Sequence, residues 1–385
     1  AVCRDKRDLV AMVNPSFVGI RGAACLLDIP TLPVPETANG QELDGEILAQ
    51  LCIAARRRGE RVRALYVAPD FSNPSGTLMS LAARHQILQL AKEHDFLILE
   101  DNAYGFTADN GGMLPTLKAL DQSRPSPTGR VIYLGTCAKI CLPGLRVGFV
   151  VADQSVLRDT GEPGVLADEL ATLKSMLSVN TSPLCQAMVG GLILLNGGSL
   201  NAIGEAKAQL YRRNLKTLLT ALDRYLKEGV LNHVNACSTD AASGDLVSAT
   251  GVATTASARP RLSWNQPSGG FFVRMQLPVP VTEELLHLSA SRYGVLWTPM
   301  SIFCLNGGGR NELRLSCSYL DPQHIEIGVQ RLAAFLRDPA VAALSASGQD
   351  HAPAPVEVAN EASVASANSM QALPHSDTAL GGAVV

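Results

Sequence analysis

The sequence predicts an α/β fold in which a mainly parallel sheet with helices on both faces is followed by a smaller α+β domain. In the first half, short apolar runs alternate with amphipathic stretches, as in β-α-β units. In the second half, a long helical pattern precedes short, separate strand candidates. The length of 385 residues and the hydrophobic content of 46% are sufficient for two buried cores.

The first-half elements follow in regular order. A helix is predicted over Ser80–His94, where Leu81, Ile87 and Leu88 recur at helical spacing. Apolar runs of strand length stand on both sides of it. The predicted strands are Leu9–Val13, Arg63–Val67, Phe96–Leu99, Val131–Leu134 and Val147–Val151.

The second-half elements predict a different domain. A long helical pattern over Pro183–Leu226 is followed by strands at Phe271–Met275 and Leu313–Cys317. We therefore expect a large domain over residues 1–178, and a connecting helix with a small domain over residues 179–337.

Two segments have the composition of unstructured chain. Residues 338–385, a stretch of 48 residues, contain no Lys, Arg or aromatic side chain, so they offer little surface for burial. They are predicted to form a disordered tail. Residues 236–261 are rich in Ser, Thr, Ala and Gly and are predicted to form a long surface loop.

Composition disfavours several function classes. The net charge of -3 gives no basic surplus for nucleic-acid binding. The nine cysteines form no CxxC pair, which favours reduced thiols in the cytoplasm over a zinc site or a disulfide framework. No apolar run approaches the roughly 20 residues that span a bilayer. A soluble protein without nucleic-acid, membrane or metal partners is expected.

Polar residues follow three predicted strands, where ligands bind in open parallel sheets. The first cluster is the turn over residues 68–77, and the second is residues 100–105. A loop leading into a helix would explain the first, and a helix cap or structural ion pair would explain the second. The third is Lys139, whose apolar neighbours favour the lowered pKa that a Schiff-base lysine requires.

The order of these motifs resembles the class I/II aminotransferases, which are fold-type-I enzymes dependent on pyridoxal 5'-phosphate. The resemblance covers residues 8–337. It rests on Asn73-Pro74-Ser75-Gly76, Asp101-x-x-Tyr104, Thr136-x-x-Lys139, Pro143-Gly144-x-Arg146-x-Gly148 and Arg314.

The resemblance implies a role for each matching residue. Lys139 would form the aldimine with the cofactor and move the proton at the substrate Cα. Asp101 would pair with the pyridine nitrogen. Tyr104 and Asn73 would contact the phenolate oxygen. The remaining roles are phosphate binding by Thr136 and Arg146, and binding of the substrate α-carboxylate by Arg314.

Two departures from the family pattern stand out. Ala138 replaces a serine that often contacts the phosphate, which removes one hydrogen bond worth about 1 kcal/mol. The segment Asn14–Phe17 matches a turn inside the family's large domain, so an N-terminal arm and a glycine-rich phosphate loop are expected to be missing from the front. We therefore expect an N-terminally truncated member.

The resemblance implies transfer of an amino group between an amino acid and a 2-oxo acid, in a homodimer. A lyase or amino-acid cyclase of the same fold is the alternative, as is a truncated remnant without activity. Residues 299–309, before Arg314, look most like a subgroup that acts on 2-aminoadipate-like or aryl-glycine-type amino acids.

Overall fold

A computed structural model describes residues 2–3, 5–37, 40, 42–108, 112–158, 161–226 and 261–341. The predicted loop, except Arg261, and residues 342–385 of the predicted tail lie outside these residues. Residues 338–341 are described, and the tail prediction is wrong for them. Val341 is 3% exposed, and Asp338 accepts a hydrogen bond from the Tyr293 hydroxyl at 2.8 Å.

The described part of the large domain is built on a six-stranded sheet with the order β2-β1-β3-β4-β5-β6. β1 to β5 are parallel, and β6 is antiparallel to β5. The predicted mainly parallel sheet is therefore confirmed. Its strands are β1 (Asp8–Asn14), β2 (Thr31–Pro35), β3 (Arg61–Val67), β4 (Leu97–Asn102), β5 (Val131–Thr136) and β6 (Gly148–Val151).

Several helices of this domain begin at side-chain caps. Asp44, Ser80 and Thr116 accept hydrogen bonds from the first turns of α2, α3 and α4. Ile87 and Leu88 bury the inner face of the predicted helix, as the helical spacing indicated. The helices are α1 (Val18–Leu26), α2 (Gly45–Arg57), α3 (Leu81–His94), α4 (Leu117–Gln122), α5 (Cys137–Ile140) and α6 (Leu166–Ser178). A short hairpin, β7 (Ser155–Leu157) and β8 (Pro163–Val165), precedes α6.

The predicted long helix is two helices, α7 (Pro183–Leu195) and α8 (Leu200–Leu226), which meet at 89°. Gly197 and Gly198 break it, because both have positive φ angles, of 65° and 80°, that do not continue a right-handed helix. The prediction of one continuous helix is therefore wrong at this point.

The small domain has a four-stranded sheet with the order β11-β12-β10-β9. Both predicted strands are confirmed and lie at its centre. α8 packs against α10 (Pro322–Leu336) beside this sheet, around Leu218, Leu222 and Val329, which are all fully buried. The elements are β9 (Ser263–Trp264), β10 (Phe272–Gln276), α9 (Glu283–Leu288), a π-helical turn (Ser289–Tyr293), β11 (Thr298–Pro299), β12 (Glu312–Ser316) and α10 (Pro322–Leu336).

No single helix among the described residues is long and apolar enough to cross a membrane. The bent pair α7 and α8 meets the criterion of length and composition only when its two helices are taken together.

Candidate active site

Three parallel strands bring the predicted site residues to one edge of the large sheet. Val67 on β3 is paired with Glu100 on β4, and Asp101 is paired with Leu134 on β5. Because the strands are parallel, their carboxyl ends coincide. The turns that follow β3, β4 and β5 carry Asn73, Tyr104 and Lys139, which therefore meet at the same edge.

The adjacent carboxylates Glu100 and Asp101 have different surroundings, because successive side chains of a strand point to opposite faces. Glu100 is fully buried and accepts hydrogen bonds from the backbone nitrogens of Leu117, at 2.7 Å, and Lys118, at 2.9 Å. It therefore caps α4. The helix-cap explanation holds for Glu100, whereas Asp101 faces the site.

The buried position of Glu100 gives a pH-dependent stability. Burial raises its pKa to about 7, against the opposing hydrogen bonds from the α4 backbone. The folded chain then holds this proton to higher pH than the unfolded chain, so stability falls as pH rises from about 5 to about 8. We expect the free energy of unfolding, measured in urea, to decrease over this pH range by on the order of 2 kcal/mol less in Glu100→Gln than in the wild type. The exposed-residue control Glu93→Gln should keep the wild-type pH profile, and an unchanged profile in Glu100→Gln would contradict the assignment.

Asp101 is held by a tyrosine from the neighbouring strand. The hydroxyl of Tyr66 donates to Oδ2 of Asp101 at 2.5 Å. Burial raises the pKa of Asp101, and the hydrogen bond from Tyr66 lowers it. Tyr66 could not be recognised from the sequence alone, because an apolar strand gives no sign of which tyrosine lies near a carboxylate.

Tyr104 lies in an aromatic cluster where β4 meets the small domain. Its ring contacts Phe271 and Phe272 edge-on, at centroid distances of 5.2 Å and 5.7 Å. Burial first, and then the charge of Asp101, raise its pKa to about 12, while Arg314 and Asn73 act in the opposite direction. The phenol is thus a hydrogen-bond donor at neutral pH.

Lys139 lies on the single-turn helix α5 at the end of β5. Its Nζ is 6.0 Å from the centroid of the Tyr104 ring and 5.9 Å from that of Phe271. Burial lowers its pKa, and the charges of Arg146 and Arg314 lower it further. The amine is therefore easier to deprotonate than an exposed lysine, which suits nucleophilic chemistry.

Helix α8 supports α5 from behind. Nζ of Lys207 donates a hydrogen bond to the carbonyl of Cys141, just after α5. Gly204 allows the close approach, since a Cβ there would lie 3.3 Å from Ile140 and 3.0 Å from Phe106. Neither residue could be recognised from the sequence alone, because both are far from Lys139 along the chain.

Arg314 on β12 reaches across to the turn after β3. Its Nη1 donates to Oδ1 of Asn73 at 2.5 Å, and its Nη2 donates to Oγ1 of Thr298 at 3.3 Å. The guanidinium lies over the rings of Phe272 and Phe303, at 4.3 Å and 4.9 Å. Its Nε is buried without a hydrogen-bond partner among the described residues. A carboxylate ligand could satisfy this group.

Gly76 fixes the turn that carries Asn73. Its φ is +70°, and a Cβ there would lie 2.6 Å from the carbonyl oxygen of Phe272. We expect Gly76→Ala to destabilise the chain by about 3 kcal/mol, from backbone strain and overpacking together. The matched control is Gly59→Ala, where φ is +77° and nothing lies within 4 Å, so that strain alone costs about 1 kcal/mol. Equal losses in urea unfolding would contradict the close contact.

Thr136 and Arg146 flank Lys139 but have local partners. Oγ1 of Thr136 caps α5 by accepting from the nitrogen of Ala138 at 3.1 Å. Arg146 is exposed, and its Nη1 donates to the carbonyl of Pro143 at 3.2 Å. Both polar groups remain close to the lysine along the chain, and Arg146 is near enough to affect its pKa.

A cleft beside Tyr66 and Asn73 is lined by Phe17, Met79 and Glu36, among other residues. The Glu36 side chain is 6% exposed and forms an ion pair with Arg274 at 2.9 Å. Burial raises the pKa of Glu36 to about 7.

Among the described residues, no group of three or more His, Cys, Asp or Glu side chains could hold a metal ion.

These residues fit pyridoxal 5'-phosphate by their chemistry. An amine with a lowered pKa, a half-buried carboxylate and a phenol occupy one edge of the sheet. The amine can form the Schiff base, the carboxylate can be the counterion of the ring nitrogen, and the phenol can donate to the phenolate oxygen.

Comparisons with known proteins agree with this chemistry. The family model described as Aminotransferase class I and II matches residues 1–238. The chain is 43% identical to the (S)-3,5-dihydroxyphenylglycine transaminase of Amycolatopsis orientalis over 332 residues, which are 86% of this chain and 66% of that protein. It is 31% identical to the 2-aminoadipate transaminase of Thermus thermophilus over 86% of this chain and 70% of that protein.

A solved structure supports the same relation. The alpha-aminoadipate aminotransferase of Thermus thermophilus, complexed with N-(5'-phosphopyridoxyl)-L-leucine, superposes with a TM-score of 0.67 at 30% identity. The match covers 88% of this chain and 72% of that one. The chain spans about two thirds of the length of the curated relatives described above.

Proposed function

Because the chain belongs to the class I and II aminotransferase family, we propose that it moves an amino group between an amino acid and a 2-oxo acid. The proposal rests on one observation, which is that Lys139, Asp101 and Tyr104 lie at the same edge of the large sheet. The lysine amine has a lowered pKa and lies beside the Tyr104 ring.

Pyridoxal 5'-phosphate is the cofactor of this family, and when bound it supplies an electron-withdrawing ring that stabilises negative charge at the substrate Cα. Lys139 would hold it covalently and then move a proton at Cα through Nζ. Asp101 would pair with the ring nitrogen. Tyr104 and Asn73 would donate to the phenolate oxygen, and Thr136 and Arg146 would bind the phosphate.

Arg314 would bind the substrate carboxylate. Asn73 and Thr298 hold two of its nitrogens, and Phe272 and Phe303 shield its faces from water. A guanidinium fixed in this way offers paired donors to a planar carboxylate.

The amino donor we propose is an aryl-glycine-type amino acid. The 43% identical relative is named for such a substrate, (S)-3,5-dihydroxyphenylglycine. Turnover of 2-aminoadipate faster than of (S)-3,5-dihydroxyphenylglycine would contradict this choice.

We also propose a cytoplasmic homodimer. Apolar side chains project outward from α6 and α7, with Met176 81%, Leu177 87% and Leu195 85% exposed. The described cysteines are free thiols, which suits a reducing compartment. Sedimentation at micromolar concentration should give the mass of two chains, and a monomer mass would contradict the dimer.

The reaction type is tested by incubating the chain with pyridoxal phosphate, (S)-3,5-dihydroxyphenylglycine and 2-oxoglutarate. Transamination forms glutamate in step with the loss of the amino donor. Release of ammonia without glutamate would support a lyase instead, and no reaction with any amino donor would support a non-catalytic chain.

A further inference from the structure

The buried Tyr66 and the half-buried Asp101 are hydrogen-bonded on adjacent strands at the candidate site. Tyr66 is 4% exposed and is paired in register with Leu99, two residues before Asp101. Residues two apart on a strand share a face, so Tyr66 and Asp101 are diagonal neighbours within reach of each other. The resulting hydrogen bond, from the Tyr66 hydroxyl to Oδ2 of Asp101, is 2.5 Å long.

We propose that Tyr66 is a positioning residue, which keeps Asp101 ionised and fixes its Oδ2, so that the carboxylate can hold a proton on the ring nitrogen of the cofactor. This inference rests on the proposed function. Tyr66 is not expected to touch the substrate, and its effect passes through Asp101.

The physical need for such a donor follows from burial. A carboxylate taken out of water tends to accept a proton, and a neutral acid could not pair with a protonated ring nitrogen. Burial and the Tyr66 hydrogen bond are the two causes that act on the pKa of Asp101, and only the hydrogen bond lowers it. Tyr66 has a pKa raised well above its ordinary value by burial, so it remains a donor.

The groups that interact with the Asp101 charge come from three positions. They are Tyr66 on β3, Tyr104 in the turn after β4, and Tyr133 on β5. Burial is the main cause that raises the pKa of Tyr104 and of Tyr133 to about 12. The Asp101 charge adds to it for Tyr104, whereas the charges of Glu100, Asp70 and Asp101 add to it for Tyr133. Their titration therefore lies above the neutral range, in which the cofactor spectrum would be measured.

The test compares Tyr66→Phe with the wild type by adding pyridoxal phosphate and following the visible absorption of the lysine-bound cofactor. We expect the dissociation constant of pyridoxal phosphate to rise about tenfold or more, because a hydrogen bond to a charged group is lost. The pH at which the visible band titrates should rise as well, because an unprotonated ring nitrogen withdraws less charge from the lysine nitrogen.

The matched control is Tyr293→Phe, which removes a tyrosine-to-aspartate hydrogen bond of 2.8 Å, from Tyr293 to Asp338, in the small domain. It should leave both the dissociation constant and the band unchanged. If Tyr66→Phe fails to fold, 3-fluorotyrosine at position 66 keeps the shape and donates more strongly, so the titration should move to lower pH.

The outcomes separate this inference from the proposed function. A wild-type chain that forms no visible band contradicts both. A wild-type band with the same affinity and the same titration in Tyr66→Phe, or an unmoved titration with 3-fluorotyrosine, overturns the role of Tyr66 alone.

Discussion

Replacing Lys139 by alanine is expected to lower the rate of transamination by roughly a thousandfold, since proton transfer by a positioned side chain contributes about 10² to 10⁴. The amine lies 6.0 Å from the Tyr104 ring centroid, in surroundings that lower its pKa. Its removal also takes away the covalent attachment of the cofactor, so the visible absorption should disappear. Glutamate formation and the spectrum measure the two losses separately.

The control for this variant is Lys216→Ala, a change to an exposed lysine on α8. It removes the same charge from the chain but should keep both the spectrum and the rate. Full activity in Lys139→Ala would show that another amine performs the chemistry.

Replacing Arg314 by alanine should raise KM for the amino acid and lower kcat, with kcat/KM falling about a hundredfold. Truncating one partner of a buried, hydrogen-bonded charge pair costs about 2 to 5 kcal/mol, which corresponds to such a factor. Loss of the guanidinium also releases Asn73, which it holds at 2.5 Å, so the orientation of the substrate suffers along with its binding. Initial rates over a range of amino acid concentrations measure both constants.

Two further variants define the role of Arg314. Arg314→Lys keeps the charge but loses the planar pair of donors, so it should recover only part of kcat/KM. Arg224→Ala removes an exposed arginine paired with Glu326 and should behave as wild type. Wild-type kinetics in Arg314→Ala would remove this residue from carboxylate binding.

The sheet could be predicted from the sequence because its strands are apolar runs separated by well-marked helices. The helical spacing of Ile87 and Leu88 and the cap at Ser80 agree with the observed α3. The break between α7 and α8 could not be predicted from apolar spacing alone. It depends on the positive φ angles of Gly197 and Gly198, and the pair of glycines was the available signal.

Residues of the candidate site could be predicted from the sequence only where they belong to one of the family's motifs. Glu100 and Asp101 are neighbours in sequence, but their side chains point to opposite faces of β4. Glu100 therefore caps α4, whereas Asp101 accepts a hydrogen bond from Tyr66. Tyr66, Thr298 and Lys207 contribute through contacts between distant segments, which spacing along the chain does not reveal. The order of the motifs identified the family, whereas the pairing of the strands was needed to identify the residues that support them.

The most direct test of the central claim is to reduce the chain with borohydride in the presence of pyridoxal phosphate and to locate the attached pyridoxyl group by peptide mass spectrometry. We expect the label on the peptide that contains Lys139, in a ratio of about one group per chain. Labelling spread over exposed lysines such as Lys216, with none on Lys139, would contradict the assignment of this sheet edge as the active site.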